Sequence, residues 1–320
     1  MKSVLTYIAL ILILFALQSC NNDESLSSES KLSNVAIGLT SEITGSRATN
    51  NLQGASLDPS TEIGVYVLKS DGVTDYGYLN HYCTNQQTMS GVDSLIQSTQ
   101  MYFPLTSGTV DVDIRAYAPY ENTYGFLDIY NFSVLTDQST SVGYLKSDLM
   151  YGIPKAGNPV HHIFTHDLEQ KKQNVPLTFN HLLSKITLTL QPTATLTSDN
   201  LLGARVTLKQ VATTVPFNLI DGSLGTAANS ADVLIGEVSS TDELTVSGLL
   251  PPQTITPGSL FIEVTLNNGE VYNYTIPTAN PLTLEGGKHY QFRMKFSPGK
   301  TAEVTMSVAD WVGVAGEYIL

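Results

Sequence analysis

Reactive side chains are sparse in this chain, and three places decide which chemistry is open to it: Cys20, Arg47, and the histidines His161, His162 and His166 beside Asp167. Cys20 follows Leu17-Gln18-Ser19 at the end of an uncharged apolar run, a position where a thiol can carry an acyl group. Arg47 is the single basic residue in the polar stretch 41–62, which is rich in Gly, Ser and Thr. A lone arginine in such a loop, followed by Ala48, is where a trypsin-like protease cuts. A solvated linker arginine has the same surroundings. The histidines would hold a metal if they shared a helix face, but no helical period covers them and a polar loop is expected there. Gly299-Lys300-Thr301 is half of a phosphate loop, yet Met294 stands where its first glycine is required. Neither G-x-S-x-G nor H-E-x-x-H occurs, so no catalytic residue, metal or cofactor is expected, and the chain does not read as an enzyme.

The N-terminus explains what Cys20 is for. Lys2 is the only early positive charge and residues 4–17 carry none. That run is short of the roughly 20 residues needed to span a bilayer, and it reads instead as the core of a signal peptide. A small residue immediately before the cysteine resembles the end of a bacterial lipoprotein signal. On that reading residues 1–20 are the signal and Cys20 is the lipidated first residue of the mature chain; an ordinary signal peptide with an incidental cysteine is the alternative. Asn21-Asn22-Asp23-Glu24 resembles the surface-export signal of lipoproteins in Bacteroidetes, and a solvated tether would look the same. Residues 21–47 are thus expected to be a tether and propeptide.

Composition limits the mature part. Of the 320 residues, 42% are apolar and only 14% charged, against about 25% charged in an average soluble domain. Ser and Thr take the polar role, as in extracellular β-proteins. A net charge of −13 without clustered Lys and Arg excludes nucleic acid and anionic membrane surfaces as partners. With Cys20 committed to lipid, Cys83 has no partner in the chain and is expected to be a small buried hydrophobe rather than a reactive thiol.

The elements that must carry these positions are strands. In 34–40, Val35, Ile37 and Leu39 alternate with Ala36, Gly38 and Thr40, the pattern of a half-buried strand. Further strands are expected at 63–68, 101–103, 109–118 and 147–153, while the stretch around Cys83 gives no order. In 175–190 the parity changes: Leu177 and Phe179 are apolar at odd positions, Ile186, Leu188 and Leu190 at even ones. One strand cannot do both, so two strands joined by a bulge or tight turn carrying His181 are expected. Residues 191–200 read as a linker, dividing the chain into domains at 48–192 and 193–320. Past it come strand candidates at 204–211, 215–220, 232–238, 243–246, 260–266, 271–276, 290–296 and 303–308, with Asn268-Gly269 as a hairpin turn. No segment shows a helical period over three turns. The chain is therefore expected to be all-β, two antiparallel β-sandwiches in tandem.

IGVYVL at 63–68, YFPLTSGTVDVDIRAYAPY at 102–120, SDLMYG at 147–152, the 175–190 segment, GGKHYQF at 286–292 and ADW at 309–311 together resemble the fimbrillin family, the lipoprotein-precursor pilins of Bacteroidales. The resemblance implies transthyretin-like sandwiches, lipid export to the outer membrane on Cys20, and cleavage by an arginine-specific protease between Arg47 and Ala48. It also implies that the strand bearing Val35, Ile37 and Leu39 is exchangeable, so that a strand of another fimbrial subunit takes its place and a surface fimbria grows, serving adhesion to host or bacterial surfaces. The alternative is a monomeric surface lipoprotein that binds a glycan or host molecule on stacking platforms drawn from its 16 tyrosines and Trp311.

Overall fold

The computed structural model describes residues 35–43, 57–59, 61–69, 75–86, 93–103, 109–125, 129–154, 163–167, 172–296 and 302–311. In chain order they form β1 (Ala36–Ile43), β2 (Glu62–Lys69), β3 (Asp75–Gln86), β4 (Asp93–Gln97), β5 (Thr109–Ala118), β6 (Ile129–Ser133), α1 (Ser141–Lys146), β7 (Met150–Pro154), β8 (Ile163–Asp167), β9 (Lys172–His181) and β10 (Ser184–Gln191). Then follow α2 (Ser198–Leu201), β11 (Arg205–Asn218), β12 (Ala228–Glu237), β13 (Thr245–Leu250), β14 (Gln253–Ile255), β15 (Leu260–Thr265), β16 (Val271–Thr275), β17 (Leu282–Leu284), β18 (Lys288–Phe296) and β19 (Ala302–Asp310). The chain is all-β, as its alternation predicts.

The first sheet runs β2-β3-β4-β1-β9-β7-β5-β8, and β5 also pairs with β2. Seven strands thereby close into a barrel-like ring, with β8 attached outside it. Val35, Ile37, Leu39, Ile63, Val65, Val67, Val112, Ile114, Val175, Leu177 and Phe179 are among the side chains that fill its interior. The stretch around Cys83 that local pattern leaves unordered supplies β3 and β4, and Cys83 is fully buried in this core. Burial pushes its thiol up to about 12, which keeps it protonated and inert.

The second lobe faces a β13-β10-β18-β19 sheet against a second one ordered β12-β11-β15-β16, with β6 added to β11. Ile186, Leu188 and Leu190 from one sheet meet Val206, Leu208, Ile262 and Val264 from the other. At Asn268-Gly269 the expected hairpin forms, with Gly269 N–H donating to Leu266 O at 2.9 Å.

Sheet membership departs from local pattern in four places. First, not all pairs are antiparallel: β1 lies parallel to β9 and β10 parallel to β18. Their partners are separated by an entire lobe of chain, long enough for a crossover that no local pattern announces. Second, the handover between lobes falls at Leu182 and Leu183, between β9 in the barrel and β10 in the sandwich, so β10 belongs to the second lobe. Residues 192–197 form a surface turn between β10 and α2, within the second lobe. Third, the first half of the chain returns a strand to the second: β6 pairs antiparallel with β11 from Ile129 opposite Asn218 to Ser133 opposite Thr214. Fourth, His166 and Asp167 are not in a loop but in β8, opposite Val110 and Thr109 of β5; His161 and His162 lie outside the described residues.

A third core joins the lobes. Tyr66, Leu68 and Tyr117 on the outer face of the barrel pack with Phe132, Tyr144, Tyr151, Val215, Phe217, Leu249 and Trp311. This explains why 63–68 reads as a continuous apolar run: β2 is buried on both faces, odd positions toward the barrel interior and even ones toward the junction.

Candidate functional site

The first strand sits as a full stave of the barrel. On one flank β1 pairs with β9 along its whole length, from Ala36 opposite Lys172 to Ile43 opposite Phe179. Val35, Ile37 and Leu39 are 1%, 0% and 3% exposed, so the alternation read from sequence points its apolar side chains into the core.

The other flank changes character along the strand. Thr40 and Ser41 pair antiparallel with Ser94 and Asp93 of β4. Higher up, Ile37 N–H donates to Met101 O at 3.0 Å and Phe103 N–H to Val35 O at 2.9 Å. Between these contacts side chains substitute for the ladder. The Nε2 groups of Gln97 and Gln100 donate to Ile37 O at 2.7 and 2.9 Å, while Met101 N–H donates to Gln97 Oε1 at 2.7 Å. Two primary amides satisfy backbone groups that a continuous β4 would otherwise have paired. A cleft of about 320 Å³ opens at this point, lined by Gly38, Leu39, Leu95, Ile96 and Asn174 among others. The flank on β4 is therefore the weaker seam of β1.

At the lower end of the strand one buried amide holds two segments at once. Asn85, 3% exposed on β3, accepts from Ser41 Oγ at 3.1 Å and donates to Leu57 O at 2.9 Å. Leu57 itself is fully buried in the barrel core. In sequence Ser41 and Leu57 stand on opposite sides of Arg47, so Asn85 grips the chain both before and after the expected cut. Asn85, Gln97 and Gln100 carried no mark in the sequence. The one available signal was that Asn85 shares the parity of Cys83 and hence its buried face.

Cys20, Arg47 and Ala48 lie outside the described residues, as do Lys300 and 312–320. The other three arginines, Arg115, Arg205 and Arg293, sit in β5, β11 and β18. Arg115 is 3% exposed and forms a two-pronged ion pair with Asp113, Nε to Oδ1 at 2.9 Å and Nη2 to Oδ2 at 2.8 Å. Its remaining nitrogen, Nη1, donates to Ile220 O, tying the barrel to the second lobe.

Among the described residues, several of the aromatics expected as binding platforms are consumed by packing. Tyr66, Tyr117 and Tyr144 are buried. Tyr124 is stacked between Tyr130 at 3.9 Å and Tyr117 at 5.4 Å. Trp311 is 8% exposed and lies flat on His181, with ring centroids 3.6 Å apart. His181 Nδ1 in turn is 2.8 Å from Asp148 Oδ1, and Lys185 Nζ lies 5.6 Å from the Trp311 ring. Burial pulls the Lys185 ammonium below its ordinary pKa, with the Asp148 charge opposing that shift. Among the described residues no group of His, Cys, Asp and Glu is arranged to hold a metal.

A family model described as fimbrillin-like matches residues 46–311, so the match begins just after β1 and ends at Trp311. A solved structure from Bacteroides uniformis, described as a candidate cell adhesion protein, is 23% identical with a TM-score of 0.65, covering 87% of this chain and 98% of that one. Another from Bacteroides ovatus, similarly described, is 20% identical with a TM-score of 0.64, covering 88% and 99%. At such identities the two likenesses speak for the fold alone. A comparison with curated proteins finds no match.

Proposed function

The chain belongs to the fimbrillin-like family, and from that premise we propose that it is a structural subunit of a cell-surface fimbria assembled by exchange of its first strand. Family membership supports a fimbrial, adhesive role at the cell surface. The finer steps of the proposal are these. The precursor is exported as a lipoprotein on Cys20 and tethered to the outer membrane. An arginine-specific protease then cuts between Arg47 and Ala48, β1 leaves with Val35, Ile37 and Leu39, and a strand of another subunit fills the slot. We read the two lobes as variants of a tandem transthyretin-like design, the first closed into a ring by β1.

The observation that carries this reading is the way β1 is held. It is a complete stave, so its loss opens the ring, yet its seam to β4 rests on a short ladder and two glutamine amides. Leu57, beyond Arg47, keeps its own burial in the barrel core and its bond from Asn85, so the segment after the cut retains an anchor at Leu57 when β1 departs. Three buried apolar side chains are worth about 1.5–3 kcal/mol each, and about six ladder hydrogen bonds add about 1 kcal/mol apiece. A domain is stable by only about 5–15 kcal/mol. An emptied slot is therefore close to unfolding, and refilling it is strongly driven.

An arginine-specific protease should cut the purified chain after Arg47 and spare Arg115, Arg205 and Arg293, which are held in ladders. The cut chain should take up a labelled peptide of sequence 34–43 and oligomerise, while Arg47→Ala stays intact and takes up none; mass spectrometry and size-exclusion chromatography read both. In cells, Cys20→Ala should abolish lipidation and outer-membrane retention. A cut chain that keeps β1 and resists all peptides would favour the alternative, a monomeric surface lipoprotein that binds a glycan or host molecule.

A further inference from the structure

We infer that the outer edge of β19 is a self-association surface, on which β19 of a second copy of this chain pairs antiparallel about a two-fold axis. This inference is independent of strand exchange, since it concerns the sheet of the second lobe and leaves the β1 slot untouched.

The edge is open, whereas the far edge of its own sheet carries a side-chain cap. β19 pairs with β18 over all nine residues, from Ala302 opposite Phe296 to Asp310 opposite Lys288, and among the described residues no strand pairs with its other side. The opposite edge of the same sheet, β13, is capped. Leu249 N–H donates to Gln138 Oε1 at 2.7 Å and Gln138 Nε2 donates to Leu249 O at 3.0 Å, so one side chain satisfies both backbone groups of that residue. Along β12, Leu234 N–H donates to Thr136 O at 2.9 Å and Gln138 N–H to Leu234 O at 2.8 Å. The barrel, being closed, offers no edge at β1. An uncapped, nine-residue edge is a template for another strand unless charge or proline blocks it.

The side chains of β19 also run out of core. Ala302, Val304, Met306 and Val308 lie opposite Phe296, Met294, Phe292 and Tyr290 of β18, all four of which are buried. Ala302 and Val304 pack partly against the sandwich core, whereas Met306 is 46% and Val308 41% exposed. The apolar stripe of the inner face therefore continues past the last strand into solvent.

The sequence of β19 is complementary to itself. With Met306 of one copy facing Met306 of the other, Val304 faces Val308, Thr305 faces Ser307, Glu303 faces Ala309 and Ala302 faces Asp310. Apolar residues meet on one face, hydroxyls on the other, and no two carboxylates stand opposite each other. Asp310 is already neutralised by Lys288, Nζ to Oδ1 at 2.5 Å. Because two-fold pairing uses the same edge of both copies, it closes the assembly as an isologous dimer instead of continuing head to tail. The net charge of −13 opposes any meeting of two copies, so dimerisation should strengthen as salt screens that repulsion.

The register gives a test specific to this arrangement. In the full chain carrying Cys20→Ser, Met306→Cys should form a disulfide-linked dimer on mild oxidation, because the two sulfurs face each other across the axis. Glu303→Cys should not, since its two copies would lie about 20 Å apart along the strands. Sedimentation of the unlinked protein should show a monomer–dimer equilibrium that tightens with salt and is weakened at least tenfold by Met306→Lys; circular dichroism checks that this exposed substitution leaves the fold intact. Equal crosslinking at 303 and 306, or no crosslink at 306 in a folded chain that sediments as a monomer at every concentration, would overturn the inference.

Discussion

Ser41 Oγ donates to Asn85 Oδ1 at 3.1 Å, linking the first strand to β3 across 44 residues of sequence. The same amide donates to Leu57 O and, at 3.4 Å, to Asp58 O. Both side chains are nearly inaccessible, Ser41 at 8% and Asn85 at 3%, so neither finds water if the other is removed.

Asn85→Ala should therefore destabilise the intact chain by about 1–3 kcal/mol, the cost of leaving buried polar groups unpaired. It should also speed the loss of β1 after cleavage at Arg47, because Ser41 loses its tie to the barrel. Urea unfolding of the uncut chain and peptide uptake by the cut chain measure the two effects. An unchanged midpoint in urea would mean that the node is replaced by water and has no structural weight.

At the parity change in 175–190, Leu188 is fully buried in the sandwich core while Thr189 is half-buried and faces Thr245, their hydroxyls 3.0 Å apart. Leu188→Ala should cost about 2–5 kcal/mol and Thr189→Ala under about 1 kcal/mol. The loss belongs to the second lobe. Hydrogen exchange should accordingly show the larger loss of protection in β10 and β18, not in β9; the reverse pattern would contradict the sheet assignment.

What was legible in the sequence was whatever depends on neighbours along the chain. Alternation gave the inward faces of β1, β5, β15 and β18, and the parity break gave the change of strand at His181. Long-range pairing left no local trace. Nothing near Ile129 says that β6 will join β11, and nothing near Ala36 says that its partner is parallel and begins at Lys172. Turn-forming residues at 191–200 mark a surface loop equally well within a lobe or between two, so local pattern alone places no boundary there. The glutamines on Ile37 O leave no mark in the sequence because an amide acting as a piece of backbone is visible only where the ladder is missing.

Acid should weaken the second lobe through His289. Burial, with the Lys185 charge adding to it, lowers this imidazole to about 4 from its ordinary 6.5, while Thr187 Oγ1 lies 2.8 Å from its Nε2. Between those values the unfolded chain binds a proton that the folded chain refuses. The stability is thus whole above pH 6.5 and lost as pH falls towards 4, by at most about 1.4 kcal/mol per pH unit. His289→Gln should flatten that part of the profile in urea titrations at pH 7, 6 and 5. A profile identical to that of the parent would show that another group carries the acid sensitivity.

Two glycines distinguish turn strain from docking strain. Gly222 and Gly269 both occupy the left-handed region, with φ of +73° and +85°. A Cβ on Gly269 would meet nothing within 4 Å, whereas on Gly222 it would stand 2.5 Å from the Tyr151 ring. Gly269→Ala should therefore cost only the left-handed penalty, about 1–2 kcal/mol. Gly222→Ala carries the same penalty and must also push Tyr151 from the seat where its hydroxyl donates to Leu219 O and Ile220 O at 3.3 Å. Its cost should exceed that of Gly269→Ala by about 1–3 kcal/mol. Because Arg115 also donates to Ile220 O, the same turn holds the ion-paired arginine in place. A further substitution, Tyr151→Leu, should recover part of the loss in Gly222→Ala and none in Gly269→Ala. Equal costs for the two glycine variants would mean that the 219–222 turn is not clamped between the lobes.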